Sequence, residues 1–194
     1  MLARRDLLKF GAAAAVTSAA ALPAKGWSQD LIGDYLAATR TFTPDTGPRK
    51  VAFHNLHTDE KLEAVYFENG AYQPDALNAI GHVLRDYRTG DIHEMEPQLM
   101  DLLHSLSAKV ETVRPFQIIS GYRSPRTNAM LHERSGGVAV NSFHMKGMAI
   151  DVRLDDVELP QLHRAALIMG RGGVGYYPES DFVHVDIGPV RRWG

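Results

Sequence analysis

The chain contains no cysteine. That excludes a disulfide framework, a thiolate metal site and a cysteine nucleophile, so any metal must be held by histidine and carboxylate. It also lacks an excess of either charge, with 21 basic against 23 acidic residues and a formal net charge of -2. No strong positive field exists to recruit nucleic acid, and no nucleic-acid partner is expected. No apolar run reaches the roughly 20 residues that cross a bilayer, so no integral membrane span is expected. What is present is 194 residues, 44% hydrophobic and 23% charged, the profile of one ordinary globular domain. Nine histidines are the first pointer to chemistry.

The first residues read as an address rather than a fold. Arg4-Arg5 precedes Asp6-Leu7-Leu8-Lys9-Phe10, and an alanine-rich run from Gly11 to Leu22 ends in Pro23-Ala24. A basic start, a short apolar stretch and small residues at the end make a secretory signal. The paired arginines give it the look of a twin-arginine export signal over residues 1–24, which implies a periplasmic location. Residues 25–46 are rich in Thr, Gly, Pro and Asp and read as a linker or arm. Residues 47–194 remain as a single domain.

Within that domain, β-prone runs at Val51–His57 and Leu62–Phe67 flank Thr58-Asp59-Glu60-Lys61 and predict a hairpin. Pro74 opens a helix expected to reach about Arg88, and Glu96–Val110 and Leu159–Met169 carry the helical spacing of apolar residues. Pro125–His132 reads as a shorter helix. Strands are expected at Pro115–Ser120, Met148–Leu154, Val174–Tyr177 and Phe182–Ile187. Helices lead and short strands follow, which predicts an α+β class with an antiparallel sheet packed against helices.

Three stretches stand out: Ser120-Gly121-Tyr122-Arg123-Ser124, Ser142 to Asp151, and Asp181 to Asp186. From Met148 the pattern alternates, so Ala149, Asp151 and Arg153 share one face while Ile150, Val152 and Leu154 share the other. Asp151 therefore sits beside a small residue, with room above it. His144 is seven residues away and reaches Asp151 only if Gly147 permits a turn. In the last strand Val183, Val185 and Ile187 form the apolar face, leaving Phe182, His184 and Asp186 on the other. If the two strands pair, His184 and Asp151 lie side by side. Two imidazoles and one carboxylate leave a fourth position for water, which is the donor set of a catalytic zinc site. Such a site activates water as a nucleophile and polarises a carbonyl. Either histidine alone reads more simply as a satisfied or surface residue, whereas Asp151 inside an apolar strand needs a partner, and the three together point to a site. The remaining histidines (His54, His57, His82, His93, His104, His132 and His163) read as helix-margin, hairpin or loop residues, and Arg191-Arg192 as a solvated tail.

The pattern Ser142-x-His144-x-x-Gly147-x-Ala149-x-Asp151, followed by His184, resembles the zinc D-Ala-D-Ala peptidase superfamily, whose fold the hedgehog signalling domain shares. The resemblance is closest to the MepK-type murein endopeptidases. They are similar in the twin-arginine start, the Arg49 to Thr58 hairpin, the Ser120–Ser124 loop and the Phe182-Val183-His184-Val185-Asp186 ending. The resemblance covers nearly all of residues 47–194. It implies zinc held by His144, Asp151 and His184, an oxyanion-binding role for Arg123, and peptidoglycan stem peptides as substrate.

One departure concerns the general base. The wider superfamily carries Glu three residues before the last histidine, where this chain has Asp181, one methylene shorter. Asp186 competes for the role, since it shares the His184 face, and could instead orient a ligand; Glu179 is a third candidate. The expected activity is zinc-dependent endopeptidase cleavage of peptide cross-links between murein stem peptides, of the D-Ala–diaminopimelate or diaminopimelate–diaminopimelate type. The alternatives are a D-Ala carboxypeptidase or a non-catalytic zinc-containing protein that binds the cell wall.

Overall fold

The computed structural model of the chain describes residues 47–135 and 138–194. The expected export signal at 1–24 and arm at 25–46 lie outside the described residues. The described residues form an α+β fold built on one eight-stranded sheet.

The hairpin of β1 (Arg49–Asn55) and β2 (Lys61–Glu68) comes first, and the two-residue β3 (Ala71–Tyr72) extends it. Helices α1 (Pro74–Val83) and α2 (Pro97–Lys109) follow, then β4 (Phe116–Ser120) and α3 (Pro125–Ser135). A 3-10 turn over Phe143–Lys146 leads to β5 (Ala149–Arg153), then α4 (Leu159–Met169) and β6 (Gly173–Tyr177). The chain ends with β7 (Phe182–Asp186) and β8 (Arg191–Trp193). Among the described residues three of the four α-helices begin on proline, and α4 has it at its second position, where the missing N–H costs nothing and the fixed φ favours helix entry.

The strand order is β3-β2-β1-β4-β5-β7-β6-β8. Most neighbours are antiparallel, as the sequence predicts, but β1 pairs with β4 and β6 with β8 in parallel. Alternation divides the sheet into two faces. Val51, Phe53, Phe116, Ile118, Ile150, Val152, Val183 and Val185 join Ile80, Leu99, Leu103, Leu106 and Leu162 of α1, α2 and α4 in one buried cluster. The opposite face carries Asp151 and His184.

Helix α1 stops at Val83 rather than near Arg88, and local competitors explain it. The Leu84 carbonyl accepts the Tyr122 N–H at 2.7 Å, and the Asp86 N–H goes to the Asp91 carbonyl at 3.0 Å. The Asp86 carboxylate accepts the Arg88 N–H at 2.9 Å. These bonds remove the backbone groups that another helical turn would use. The short β3 and β8 give no readable alternation, and Arg191-Arg192 belongs to a strand rather than a tail.

At the other end of the sheet, Asp101 of α2 accepts from Arg49 at 2.7 Å, Tyr66 at 2.9 Å and Tyr72 at 2.6 Å. Burial pushes its carboxyl upward, but the three donors outweigh that and hold it below 3.8. Because the folded-state value is depressed, this stabilisation is complete above the unfolded value and disappears as pH falls through the folded one. Asp101→Asn should therefore cost about 2 kcal/mol at pH 7. In urea titrations the gap between variant and parent should close below pH 3.8. A gap that stays constant down to acid pH would show that the charge of Asp101 contributes nothing.

Candidate metal centre

His144, Asp151 and His184 are each positioned by a different device. Ser142 caps the 3-10 turn, its Oγ accepting the His144 N–H at 3.3 Å. Gly147 closes that turn at φ 66°, the left-handed conformation that a side chain disfavours. The chain then enters β5, which places Asp151 directly opposite His184 of β7. All three side chains are buried.

Their donor atoms converge. Asp151 Oδ1 lies 2.8 Å from His184 Nδ1 and 3.2 Å from His144 Nε2. The two ring nitrogens are 3.2 Å apart. One ligand atom from each residue falls within 4.8 Å of the others. The outer nitrogen of each ring is already engaged. His144 Nδ1 donates to the Gly121 carbonyl at 2.8 Å, and His184 Nε2 donates to Asp186 Oδ2 at 3.0 Å. With those protons committed outward, the neutral rings turn lone pairs inward toward an anionic oxygen. Three acceptors facing one another need a cation or a proton between them. A divalent metal fits this donor set, and the outer partners are of the kind that orient metal-binding imidazoles.

Without a metal, a proton takes that place on His184. Burial pulls the His184 ring downward, but Asp151 and Asp186 overcome it and raise the ring to about 9. His144 is lowered, burial outweighing its carboxylate neighbour. Burial opposes ionisation of Asp151, yet the two histidines hold it well below the usual carboxylate range.

Arg123 is buried beside the cluster, its Nη2 donating to Asp151 Oδ2 at 3.4 Å and Ser120 Oγ at 3.3 Å. Its Nε has no partner among the described residues. The loop that carries it is tied down on both sides. Arg123 N–H donates to the His144 carbonyl at 3.2 Å, and Ser124 N–H donates to Asp86 at 2.9 Å. Burial raises Asp86, but donors from Thr127, Ser124 and Arg88 prevail and lower it to about 2. A β-carbon on Gly121 would collide with the Leu84 carbonyl, so the loop can approach this closely only with glycine.

The two carboxylates expected as candidate bases occupy different settings. Asp186 is fully buried. It accepts from His184, from the Gly173 and Gly188 N–H groups, and from Arg191 through both nitrogens, Nη1 at 3.0 Å and Nη2 at 2.6 Å. Burial raises it, but these donors hold it well below the usual range. Asp181 is exposed at the entry to β7, in the left-handed conformation at φ 53°, and pairs with Arg153. Glu179 is exposed on the neighbouring 3-10 turn.

Sequence reasoning missed Arg191 and Asp86. Arg191 reaches Asp186 only because Gly188 and Pro189 turn the chain into β8, which pairs with β6. The spacing Asp186-x-Gly188-Pro189-x-Arg191 was the available signal.

Imidazoles and a carboxylate converging beside a buried arginine make a candidate centre for metal-assisted hydrolysis. The comparisons agree in class. The chain belongs to the peptidase family described as peptidoglycan L,D-endopeptidase MepK, whose model matches residues 43–193. The peptidoglycan L,D-endopeptidase MepK of Escherichia coli K12 is 45% identical over 146 residues, covering 75% of this chain and 80% of that protein. The Shigella flexneri protein of that name matches to the same extent. The probable peptidoglycan L,D-endopeptidase MepK of Haemophilus influenzae is 40% identical over 147 residues, covering 75% of this chain and 79% of its own.

Removing the outer partner of His184 should loosen the centre without deleting a donor. Asp186→Asn and Arg191→Ala should each weaken zinc binding about 10- to 100-fold, measured by competition with a chromogenic chelator. Affinity equal to the parent in both variants would mean that Asp186 does not orient His184.

Proposed function

We propose that this protein is a zinc-dependent peptidoglycan endopeptidase that hydrolyses peptide cross-links between stem peptides. The observation that carries the reading is the convergence of His144 Nε2, Asp151 Oδ1 and His184 Nδ1 within 4.8 Å, with the outer ring nitrogens already committed. The names of the relatives supply the substrate class. A D-Ala–diaminopimelate link joins two D centres, whereas a diaminopimelate–diaminopimelate link joins an L to a D centre. The L,D designation of the relatives therefore favours the second bond.

In this reading His144, Asp151 and His184 hold the zinc ion. When bound, zinc supplies a Lewis acid that polarises the scissile carbonyl and makes water a stronger nucleophile at neutral pH. Attack of water drives negative charge onto the carbonyl oxygen. Arg123, buried and fixed by its loop, retains donor capacity to hydrogen-bond that oxygen. Asp181 faces solvent on the reactive side of the sheet and takes the proton from the attacking water, then returns it to the leaving amine. Asp186 is saturated by donors and sits behind His184, so its role is to fix that ring. The arginine pair at Arg4-Arg5 and the alanine-rich run after it support export to the periplasm by the twin-arginine route, where this substrate lies.

The test is to incubate zinc-loaded protein with purified cross-linked muropeptides and read products by mass spectrometry. Dimers should become monomers, and a chelator should stop the reaction. Asp181→Asn should lower kcat by about 100-fold with zinc content unchanged. Loss of a single alanine from intact dimers would replace the reading with a carboxypeptidase. Stoichiometric zinc without any product would replace it with a wall-binding protein.

A further inference from the structure

The reactive face is not bounded by polar residues alone. Beside His184 the sheet carries Phe182, Tyr177 and Trp193, all partly exposed and all facing away from the helix-covered core. Tyr177 and Phe182 stack at 4.5 Å between ring centroids. The indole N–H of Trp193 donates to the Tyr177 hydroxyl at 2.7 Å. The Trp193 and His184 rings lie 5.1 Å apart. Arg191 spans the back of this group, its guanidinium 4.9 Å from the Trp193 ring while it holds Asp186.

A missing side chain makes the arrangement possible. Gly175 of β6 pairs with His184 on one side and with Trp193 on the other. A β-carbon there would come within 2.7 Å of the indole Cε2 and Nε1. Glycine leaves a gap between the two strands, and the indole fills it and lies against the imidazole. The local sequence therefore places a large aromatic surface at the edge of the candidate metal centre, where solvent reaches it.

We infer that Phe182, Tyr177 and Trp193 form a substrate subsite that grips the aliphatic part of the stem peptide next to the scissile bond. This rests on the hydrolase reading above. The chemistry of the wall selects the ligand. The indole N–H is committed to Tyr177, so the wall offers ring faces and one phenolic hydroxyl rather than a cluster of donors. Such a surface suits a methylene-rich side chain, as in diaminopimelate, and gains from the large area that aromatic rings bury. Charged groups of the same ligand can extend past the wall to the Arg153–Asp181 pair at its rim. Trp193 thereby acts on substrate binding rather than on the reacting atoms.

Two readouts test this. The first compares the parent with Trp193→Ala and Trp193→Phe, measuring kcat, KM and zinc content on cross-linked muropeptide. Trp193→Ala should raise KM about tenfold with kcat within about twofold, and Trp193→Phe should recover most of the loss. The second uses Trp27→Phe, which leaves Trp193 as the sole tryptophan. Titration with uncross-linked muropeptide monomer should then change its emission in a saturable way. Unaltered KM together with unaltered emission would overturn the subsite. Loss of zinc in both Trp193 variants would overturn it in favour of a supporting role toward His184. The outcomes also separate this inference from the hydrolase reading. A parent that cuts nothing but still shows the saturable emission change keeps the wall and loses the reaction. A parent that cuts, with KM indifferent to Trp193 and its emission unchanged by muropeptide, does the reverse.

Discussion

A carboxylate buried in a central strand is costly unless cations or donors meet it, and Asp151 is such a group. Its position in β5 dictates where everything else must be. His184 has to lie opposite on β7, His144 has to fold back from a turn, and Arg123 has to reach in from a loop. Register matters as much as identity. A slip of one residue between β5 and β7 would turn Asp151 into the apolar core and Val152 out toward solvent. The valines and isoleucines on the core face therefore hold the register that brings Asp151 opposite His184, as well as stabilising the sheet.

Around that centre the structure is asymmetric. Behind the rings, every proton is assigned, to the Gly121 carbonyl on one side and to Asp186 on the other. Asp186 is in turn clamped by Arg191 and two backbone N–H groups. In front, the face opens onto Asp181, Arg153 and the half-exposed aromatic wall. A rigid back and an open front suit a site that keeps its donors fixed while a long peptide enters along the sheet. This agrees with membership of a peptidoglycan endopeptidase family. Two of the devices that build the site come from the last four residues, Arg191 and Trp193, which the parallel β6–β8 pairing brings to it.

Much of the site was legible because its logic is local. Alternation along Met148–Leu154 and Phe182–Ile187 assigns Asp151 and His184 to faces, and Gly147 marks the turn between His144 and β5. The amphipathic helices were legible for the same reason, and prolines marked their starts. What escaped depends on contacts remote in sequence. The end of α1 is set by Tyr122 and by the Asp86 side chain, neither of which alters helical periodicity. An arginine near the C-terminus reads as solvated until a strand pairing aims it at a buried aspartate. Asp181 and Asp186 looked equivalent by spacing. Burial and donor count separate them, and neither can be read from a single sequence.

The central claim is that the two imidazoles and Asp151 bind one zinc ion. X-ray absorption at the zinc edge on protein loaded with one equivalent tests it directly. The account predicts a low-coordinate site with two imidazole nitrogens at about 2.0–2.1 Å and oxygen ligands at about 2.0–2.2 Å. The imidazole signature should fall by half in His184→Ala. A six-oxygen shell without imidazole scattering, or a spectrum unchanged by that substitution, would contradict it.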